Sequence, residues 1–339
     1  MPTRRADPVS APSRRRITLG AGAEFDLIRR FLASDAPLPP EVRVGPGDDA
    51  AVLEGGWVIT TDISIEDVHF RRAWLSDHEI GYRAAAGALS DIAAMAASPV
   101  GVLVSLAAPR GGAVDVEAVH AGVREIAEAV GAPVIGGDLS RSPGPLVLDI
   151  VALGRAAWPV LRDGAEPDDD VWVTGTLGAS AAAVRMWEAG KEPTPELRAA
   201  FARPRPRIDE ARCLVEHELV DALIDVSDGI AGDAGHIAAA SGVRITLDVA
   251  SIPVAPAAVA ALGEEAALDA ALYGGEDYEL CFVTDPGAVD AAYFARKHGL
   301  LLTRVGRVSE GEGVWLREQD GSTRRVTRGG FDHWSVERP

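Results

Sequence analysis

The chain has 339 residues and a net charge of −18, from 51 acidic and 33 basic side chains, which argues against nucleic-acid and anionic-membrane partners. Its length asks for two domains rather than one core, and 47% hydrophobic with 25% charged residues is an ordinary soluble, globular composition. Two distant cysteines, Cys213 and Cys281, exclude a disulfide framework or zinc spacing and fit a reducing cytoplasm, and no apolar run approaches the roughly 20 residues that span a bilayer.

The opening MPTRRADPVSAPSRRR is basic and rich in Pro and Ser, with no apolar segment after it, so it is not a secretory signal. Residues 1–20 are expected to form a disordered basic tail. Residues 24–33 space Phe25, Ile28, Phe31 and Leu32 along one face of a short amphipathic helix. VGPGDDAAVL (44–53) reads as a glycine-punctuated acidic loop entering a strand, and WVITT (57–61) as a strand that stops at Asp62. Ser76 and Glu79 have capping-box spacing ahead of an Ala-rich helix over 79–97 that carries Asp91. An apolar strand over 100–107 and an amphipathic helix over 115–130 follow. A short strand, PVI (133–135), then leads into Gly136, Gly137 and Asp138, and 146–154 is a further strand.

The second half repeats the mixture. Residues 171–174 read as a strand and 177–189 as a helix, and RPRPR (203–207) as a rigid extended connector. A helix over 209–219 precedes a strand over 222–226 that runs into Ser227-Asp228-Gly229. Further strands are expected over 243–248, 279–283 and 302–308. Alternating strands and helices in both halves predict an α/β fold of mixed layers, with two domains meeting near 155–165.

The acids carry the functional signal. Asp48 and Asp49 follow Gly-Pro-Gly, Asp62 ends a strand, Asp91 follows Ser90, Asp138 follows Gly-Gly, Asp225 and Asp228 bracket Val-Ser, and Glu276 and Asp277 follow Gly-Gly. Carboxylates beside glycines at strand ends are able to approach a ligand closely. If they converge, each pair at 4 Å repels by roughly 4 kcal/mol at an effective dielectric near 20, so the site needs cations. Mg²⁺ suits it, because Mg²⁺ takes oxygen ligands and bridges carboxylates to substrate phosphates. Taken singly, each Asp beside Gly is an ordinary turn signal, and Asp168–Asp170 reads as a solvated turn.

Other phosphate chemistry is absent from the pattern. The closest string to a P-loop, Gly175 to Ser180, lacks the lysine. Protein-kinase signatures, a G-x-S-x-G elbow and H-E-x-x-H are missing as well.

Taken in order, nine strings resemble the thiamine-monophosphate kinases, a family grouped with the aminoimidazole-ribonucleotide synthetases and selenophosphate synthetases. They are GPGDDAAVL (45–53), TTDISIEDVHF (60–70), ALSDIAAM (88–95), IGGDLSRS (135–142), LRDGAEPDD (161–169), VTGTLG (173–178), IDVSDGIAGDAGHI (224–237), YGGEDYEL (273–280) and GGFDHW (329–334). The resemblance spans about residues 20 to 335, and YGGEDYEL and the spacing from Asp62 to His69 point to this branch in particular.

The resemblance implies that ATP phosphorylates thiamine monophosphate to thiamine diphosphate in the cytoplasm, with several Mg²⁺ ions and K⁺ as a further candidate cation. Asp49, Thr60, Thr61, Asp62, Asp91, Asp138, Asp225 and Asp228 would hold the metal ions. Gly137, Asp138, Arg162 and Ser227 would meet the nucleotide, Arg162 by a fork to phosphate oxygen. His69 and Glu276 would hold thiamine monophosphate, with Phe331 on its cationic ring. No general base is implied, since the acceptor is itself a phosphate.

The family fold implies residues 21–158 as an ATP- and Mg-binding domain whose sheet closes a barrel with a second subunit, giving a homodimer. Residues 159–339 would form a C-terminal domain, a mixed sheet with helices, that completes the site. One departure is Ile63, where the family often has Thr after Thr-Asp, and Asp48 is able to share duties given to Asp49. The rivals are another ATP-dependent synthetase of the superfamily and a non-catalytic divalent-cation-binding protein. YGGEDYEL and GGFDHW argue against the first, and the near-complete acid set against the second. A selenophosphate synthetase is disfavoured because no cysteine lies in the N-terminal glycine-rich region.

Overall fold

β-Branched runs and Ala-rich helices assemble into two mixed sheets in the computed structural model of the protein, which describes residues 16–32, 37–111, 114–217, 220–331 and 334. The first half runs α1 (Ala23–Phe31), β1 (Val42–Val44), β2 (Ala51–Leu53), β3 (Trp57–Ile65), α2 (Asp77–Ala94), β4 (Ser98–Pro109), α3 (Val116–Ala129), β5 (Val134–Ser142) and β6 (Val147–Arg155). Its sheet has the order β1-β2-β3-β6-β4-β5. The pairs are antiparallel except β4 with β5, and α3 is the crossover that a parallel pair requires.

Helix α2 lies beneath this sheet and is buried over most of its length, from Ile80 to Ala94. The expected capping box is present: Ser76 Oγ accepts from Glu79 N–H, and the Glu79 carboxylate accepts from Ser76 N–H at 2.9 Å. Helices α2 and α3 touch backbone to backbone, because Gly81 faces the Val119 carbonyl and Gly122 the His78 carbonyl, with no room for a Cβ at either position. That contact brings α2, and Asp91 on it, close under the sheet.

Two expectations change here. Strand β3 does not stop at Asp62 but runs on to Ile65, since β6 pairs with it residue by residue from Trp57↔Arg155 to Ile65↔Val147. Strand β5 is nine residues long, not three, because the parallel ladder with β4 carries it through Gly136, Gly137 and Asp138 despite the low strand propensity of glycine. It is the sheet's edge, and Ile135 and Leu139 are 55% and 67% exposed on it.

The second half runs β7 (Asp170–Thr174), α4 (Ala179–Glu188), α5 (Pro195–Ala202), α6 (Ile208–His217), β8 (Val220–Asp225), α7 (Ile230–Ser241), β9 (Arg244–Asp248), α8 (Pro256–Leu262), α9 (Glu264–Tyr273), β10 (Leu280–Thr284), α10 (Ala291–His298), β11 (Leu302–Ser309), β12 (Gly313–Arg317) and β13 (Thr323–Arg325). Its sheet has the order β13-β12-β9-β11-β7-β10-β8, and β12 with β9 is the parallel pair. Val173, Ile224, Ile245, Cys281 and Val305 are buried in its core, and both cysteines are free. Residues 204–207, where RPRPR predicts an extended connector, belong to no helix or strand, and α5 before them is opened by Thr194 capping and Pro195, without a counterpart among the expected elements.

No helix among the described residues is long and apolar enough to cross a membrane. Residues 1–15 of the expected tail lie outside the described residues, as do Asp332 and His333 of the last string. Residues 16–20 depart from that expectation: Ile17 is 5% exposed and its N–H donates to the Pro46 carbonyl at 3.3 Å.

Candidate active site

The two sheets bring four acidic segments together. The loop before β2 supplies Asp48 and Asp49, β3 supplies Thr60 and Asp62, α2 supplies Ser90 and Asp91, and the end of β8 supplies Asp225. Carboxylate oxygens of Asp49, Asp91 and Asp225 all lie within 4.8 Å of one another. These three residues, 176 positions apart from first to last, line one cavity together with Arg162, Ser227 and Asp228.

Each acid is anchored. Thr60 Oγ1 donates to Asp91 at 2.6 Å, and Ser90 Oγ donates to Asp225 at 2.6 Å. Arg162 grips Asp49 with two donors, Nε at 3.1 Å and Nη2 at 2.5 Å, and the Asp49 side chain is only 2% exposed. Asp48 accepts from the N–H groups of Arg162 and Asp49 at 3.1 and 3.0 Å, which ties the loop to the second half of the chain.

Burial and mutual repulsion dominate the electrostatics. Burial, then Asp49, raises Asp225 to about 7 against the pull of Ser90 and Arg162. Burial, then Asp225, Asp49 and Asp62, holds Asp91 well above the carboxylate range. Asp48 rises to about 7 for the same two reasons, burial and Asp49. Raised carboxylates of this kind mark a place built for positive charge. The donor set is all oxygen, carboxylate and hydroxyl, and so fits Mg²⁺.

A second group lies beside the first. Burial and the neighbouring Glu276 raise Asp62 to about 7. Glu276 sits at a left-handed φ of 63° and is ion-paired with Arg83, which is 4% exposed on α2. Arg83 also donates to the Phe201 carbonyl at 2.7 Å and lies over the Phe201 ring at 3.8 Å. Thr61 Oγ1 turns away from the acidic trio and donates to Asp149 on β6 at 2.6 Å.

The glycine-rich segment 274–279 is laid against the end of β8. Glu276 N–H donates to Ser227 O at 2.7 Å, Tyr278 N–H to Val226 O at 2.9 Å, and Val226 N–H to Glu279 O at 2.7 Å. Gly275, at a φ of 71°, allows this, because a Cβ there would run into the Ser227 carbonyl. Asp277 is not at the cavity: it accepts from Gly178 N–H at 2.7 Å, at the start of α4. Phe331 N–H donates to Asp228 O at 3.1 Å, which brings its 44%-exposed ring to the same rim.

His69 lies one turn past β3, where its Nδ1 accepts from Ile65 N–H at 3.0 Å and so leaves Nε2 as the protonated nitrogen. Gly137 and Asp138 stand apart from the acidic trio, exposed on β5, where Asp138 accepts from Leu139 N–H at 2.9 Å.

Four residues of this region were not singled out from the sequence. Asp149 and Arg83 gave no local signal beyond a lone charge in an apolar element. Asp233 and His236 did carry one: they are three residues apart on α7, within the string that begins at Ile224.

Comparison with known proteins follows the same lines. Residues 47–156 match the model of the AIR synthase related protein N-terminal domain, and 166–317 that of the AIR synthase related protein C-terminal domain. The thiamine-monophosphate kinase of Rhodopirellula baltica is 36% identical over 314 residues, covering 88% of this chain and 93% of the relative. That of Escherichia coli K12 is 33% identical, covering 93% and 99%. Among solved structures, AaThiL complexed with AMPPCP and TMP has a TM-score of 0.77 at 31% identity, covering 91% of this chain and 96% of that one. The thiamine-monophosphate kinase of Stenotrophomonas maltophilia has a TM-score of 0.73 at 37% identity, covering 90% and 98%. HypE in a HypE–HypF complex, with a TM-score of 0.74 at 21% identity, shares the fold alone.

Proposed function

We propose, for a chain that belongs to the thiamine-monophosphate kinase family of AIR synthase related proteins, that it transfers the γ-phosphoryl group of ATP to thiamine monophosphate. The observation that carries this reading is the buried trio Asp49, Asp91 and Asp225 facing Arg162. Three ionised carboxylates so close repel one another and are relieved by cations, and an acidic protein that handles two phosphate esters needs cations between itself and them.

Asp49, Asp91 and Asp225 would hold Mg²⁺, with Thr60 and Asp62 beside them, Asp228 at the rim, Asp138 from β5, and Thr61 of β3 once its hydroxyl leaves Asp149. Bound Mg²⁺ supplies charge neutralisation and alignment of the two phosphates. Arg162 meets phosphate oxygen, and Ser227 and Gly137 meet the nucleotide. His69 and Glu276 bind the thiamine moiety, and Phe331 covers its cationic ring.

Transfer is direct and in line. A terminal oxygen of the acceptor phosphate forms a bond to the γ-phosphorus as the bond to the β,γ-bridging oxygen breaks. Thiamine diphosphate and ADP leave, and no phosphoenzyme forms. The acceptor oxygen is already anionic near neutral pH, so the chain provides orientation and electrostatics rather than a general base.

Residues 21–158 form the metal- and nucleotide-binding domain in this reading and 159–339 the domain that completes the site. The exposed edge of β5, with Ile135 and Leu139 outward, supports pairing with a second copy of the chain in a cytoplasmic homodimer.

Incubation with ATP, Mg²⁺ and thiamine monophosphate, with thiamine as a parallel acceptor, tests the proposal. Thiamine diphosphate should form from the monophosphate alone, and formation should cease with EDTA or in Asp62→Asn. A folded protein that binds Mg-ATP yet makes no thiamine diphosphate would sink the assignment.

A further inference from the structure

The segment that carries Glu276 also carries Tyr278, a residue to which the proposed transfer gives no part. Both have left-handed backbones, Glu276 at a φ of 63° and Tyr278 at 51°. A bulky residue in that region costs on the order of 1 kcal/mol and persists only where its surroundings fix it. Here the fixing bond runs from Tyr278 N–H to the Val226 carbonyl at 2.9 Å, just past the end of β8.

This backbone sends the phenol across to α2. A Cβ on Gly87 would stand 3.2 Å from the Tyr278 hydroxyl and 2.5 Å from Asp62 Oδ2. The two oxygens therefore converge on one bare turn of α2, and glycine there is what admits them both. The charged groups around the phenol are Glu276, Arg83, Asp62 and Asp225. Burial and then Glu276 push its ionisation well above the usual phenol range, so it stays a hydrogen-bond donor.

Other donors near Asp62 are already engaged. Thr61 Oγ1 donates to Asp149 at 2.6 Å, and the Arg83 guanidinium is taken by Glu276 and the Phe201 carbonyl. In the proposed transfer Asp62 lies on the cation side and Glu276 on the thiamine side, and the acceptor phosphate belongs between them. An anion there faces carboxylates on both sides and gains from a neutral donor.

We infer that the Tyr278 hydroxyl binds the acceptor phosphate of thiamine monophosphate, donating a hydrogen bond to a phosphate oxygen beside Asp62. This role rests on the proposed transfer and gives it a residue that separates the phosphorylated acceptor from the unphosphorylated one. A hydrogen bond to a charged oxygen discriminates strongly, whereas Glu276 and Phe331 would hold thiamine and its monophosphate alike.

Equilibrium binding of thiamine monophosphate and of thiamine to the full chain, in Mg²⁺ and a non-hydrolysable ATP analogue, tests this. The unsubstituted protein should prefer the monophosphate. Tyr278→Phe, which removes the hydroxyl alone, should cut that preference at least tenfold and leave thiamine binding within about twofold. The KM for ATP should also hold within about twofold, since a hydroxyl that merely steadied Asp62 would move it. If Tyr278→Phe does not fold, a fluorotyrosine placed at position 278 decides the matter, because its fluorine resonance should shift with the monophosphate and not with thiamine. A preference retained in folded Tyr278→Phe, a matching rise in the ATP KM, or a fluorine resonance that ignores the monophosphate overturns the role and leaves the transfer standing. An unsubstituted protein that shows no preference for the monophosphate takes down the transfer and the role together.

Discussion

Arg162 and Asp49 are bound to each other, Nε and Nη2 of the guanidinium on the two carboxylate oxygens at 3.1 and 2.5 Å. One was expected to meet phosphate and the other metal. Their pairing makes Arg162 the internal cation that neutralises Asp49 when no ligand does, and a fork with this geometry matches two oxygens of a phosphate as well as those of a carboxylate. Arg162→Met should therefore lower kcat/KM for ATP by about 100-fold or more, and Arg162→Lys should restore only part of it. Steady-state kinetics with ATP varied at saturating thiamine monophosphate check this; equal kcat/KM in all three proteins would refute it.

Stability should depend on pH and metal together. Asp62 and Asp225 are raised from 3.8 to about 7, chiefly by burial. The folded state thus holds protons that the unfolded state has released between pH 4 and 7. Stability without metal is greatest below that window and falls as pH rises through it. The expected loss between pH 5.5 and 7.5 in EDTA is roughly 1–3 kcal/mol, several degrees in Tm. Added Mg²⁺ should remove most of the slope, because it takes the place of the protons. Melting curves across this range with EDTA and with Mg²⁺ decide the point, and a Tm that rises with pH in EDTA would contradict it.

Much of this site was legible as strings. Glycine before Asp49, the Ser90-Asp91 pair in an apolar helix and the Asp225-Val-Ser-Asp228 corner each mark a place where a carboxylate is held beside a strand or helix end. Which acids meet was less legible, since that depends on register and packing. Asp149 reaches Thr61 through the β3–β6 ladder, and Arg83 reaches Glu276 across the contact between the two halves. A charge in a strand reads as its end, so the sequence alone stops β3 at Asp62, yet β6 continues the pairing to Ile65. Asp277, placed with the cavity acids by its sequence neighbours, faces the start of α4.

Gly122 should tolerate no side chain. A Cβ there would meet the His78 carbonyl and stand 2.7 Å from Tyr82 N, backbone atoms that give way only if α2 and α3 separate. Gly122→Ala should cost about 2 kcal/mol or more, and Gly81→Ala on the facing helix a similar amount. Because Asp91 rides on α2, the activity remaining in the folded fraction should fall too. Denaturant melts alongside kinetics measure both. Gly144, whose Cβ would meet nothing within 4 Å, is the control, and Gly144→Ala should change neither.

Arg83 should act on the acceptor alone. It pairs with Glu276 from within α2, stacked on Phe201 and held by the Phe201 carbonyl, so it fixes a carboxylate whose backbone already sits at a left-handed φ of 63°. That geometry costs on the order of 1 kcal/mol and persists only while its surroundings hold it. Arg83→Met frees Glu276 to swing and leaves it beside Asp62 without a counter-charge. The KM for thiamine monophosphate should rise at least tenfold, while that for ATP stays within about twofold. Arg83→Lys keeps the charge and should recover much of the loss. A rise in the ATP KM to match would show that Arg83 merely supports the fold, since a loosened α2 would also displace Asp91. A thiamine monophosphate KM left unchanged in folded Arg83→Met would instead remove Glu276 from the acceptor site.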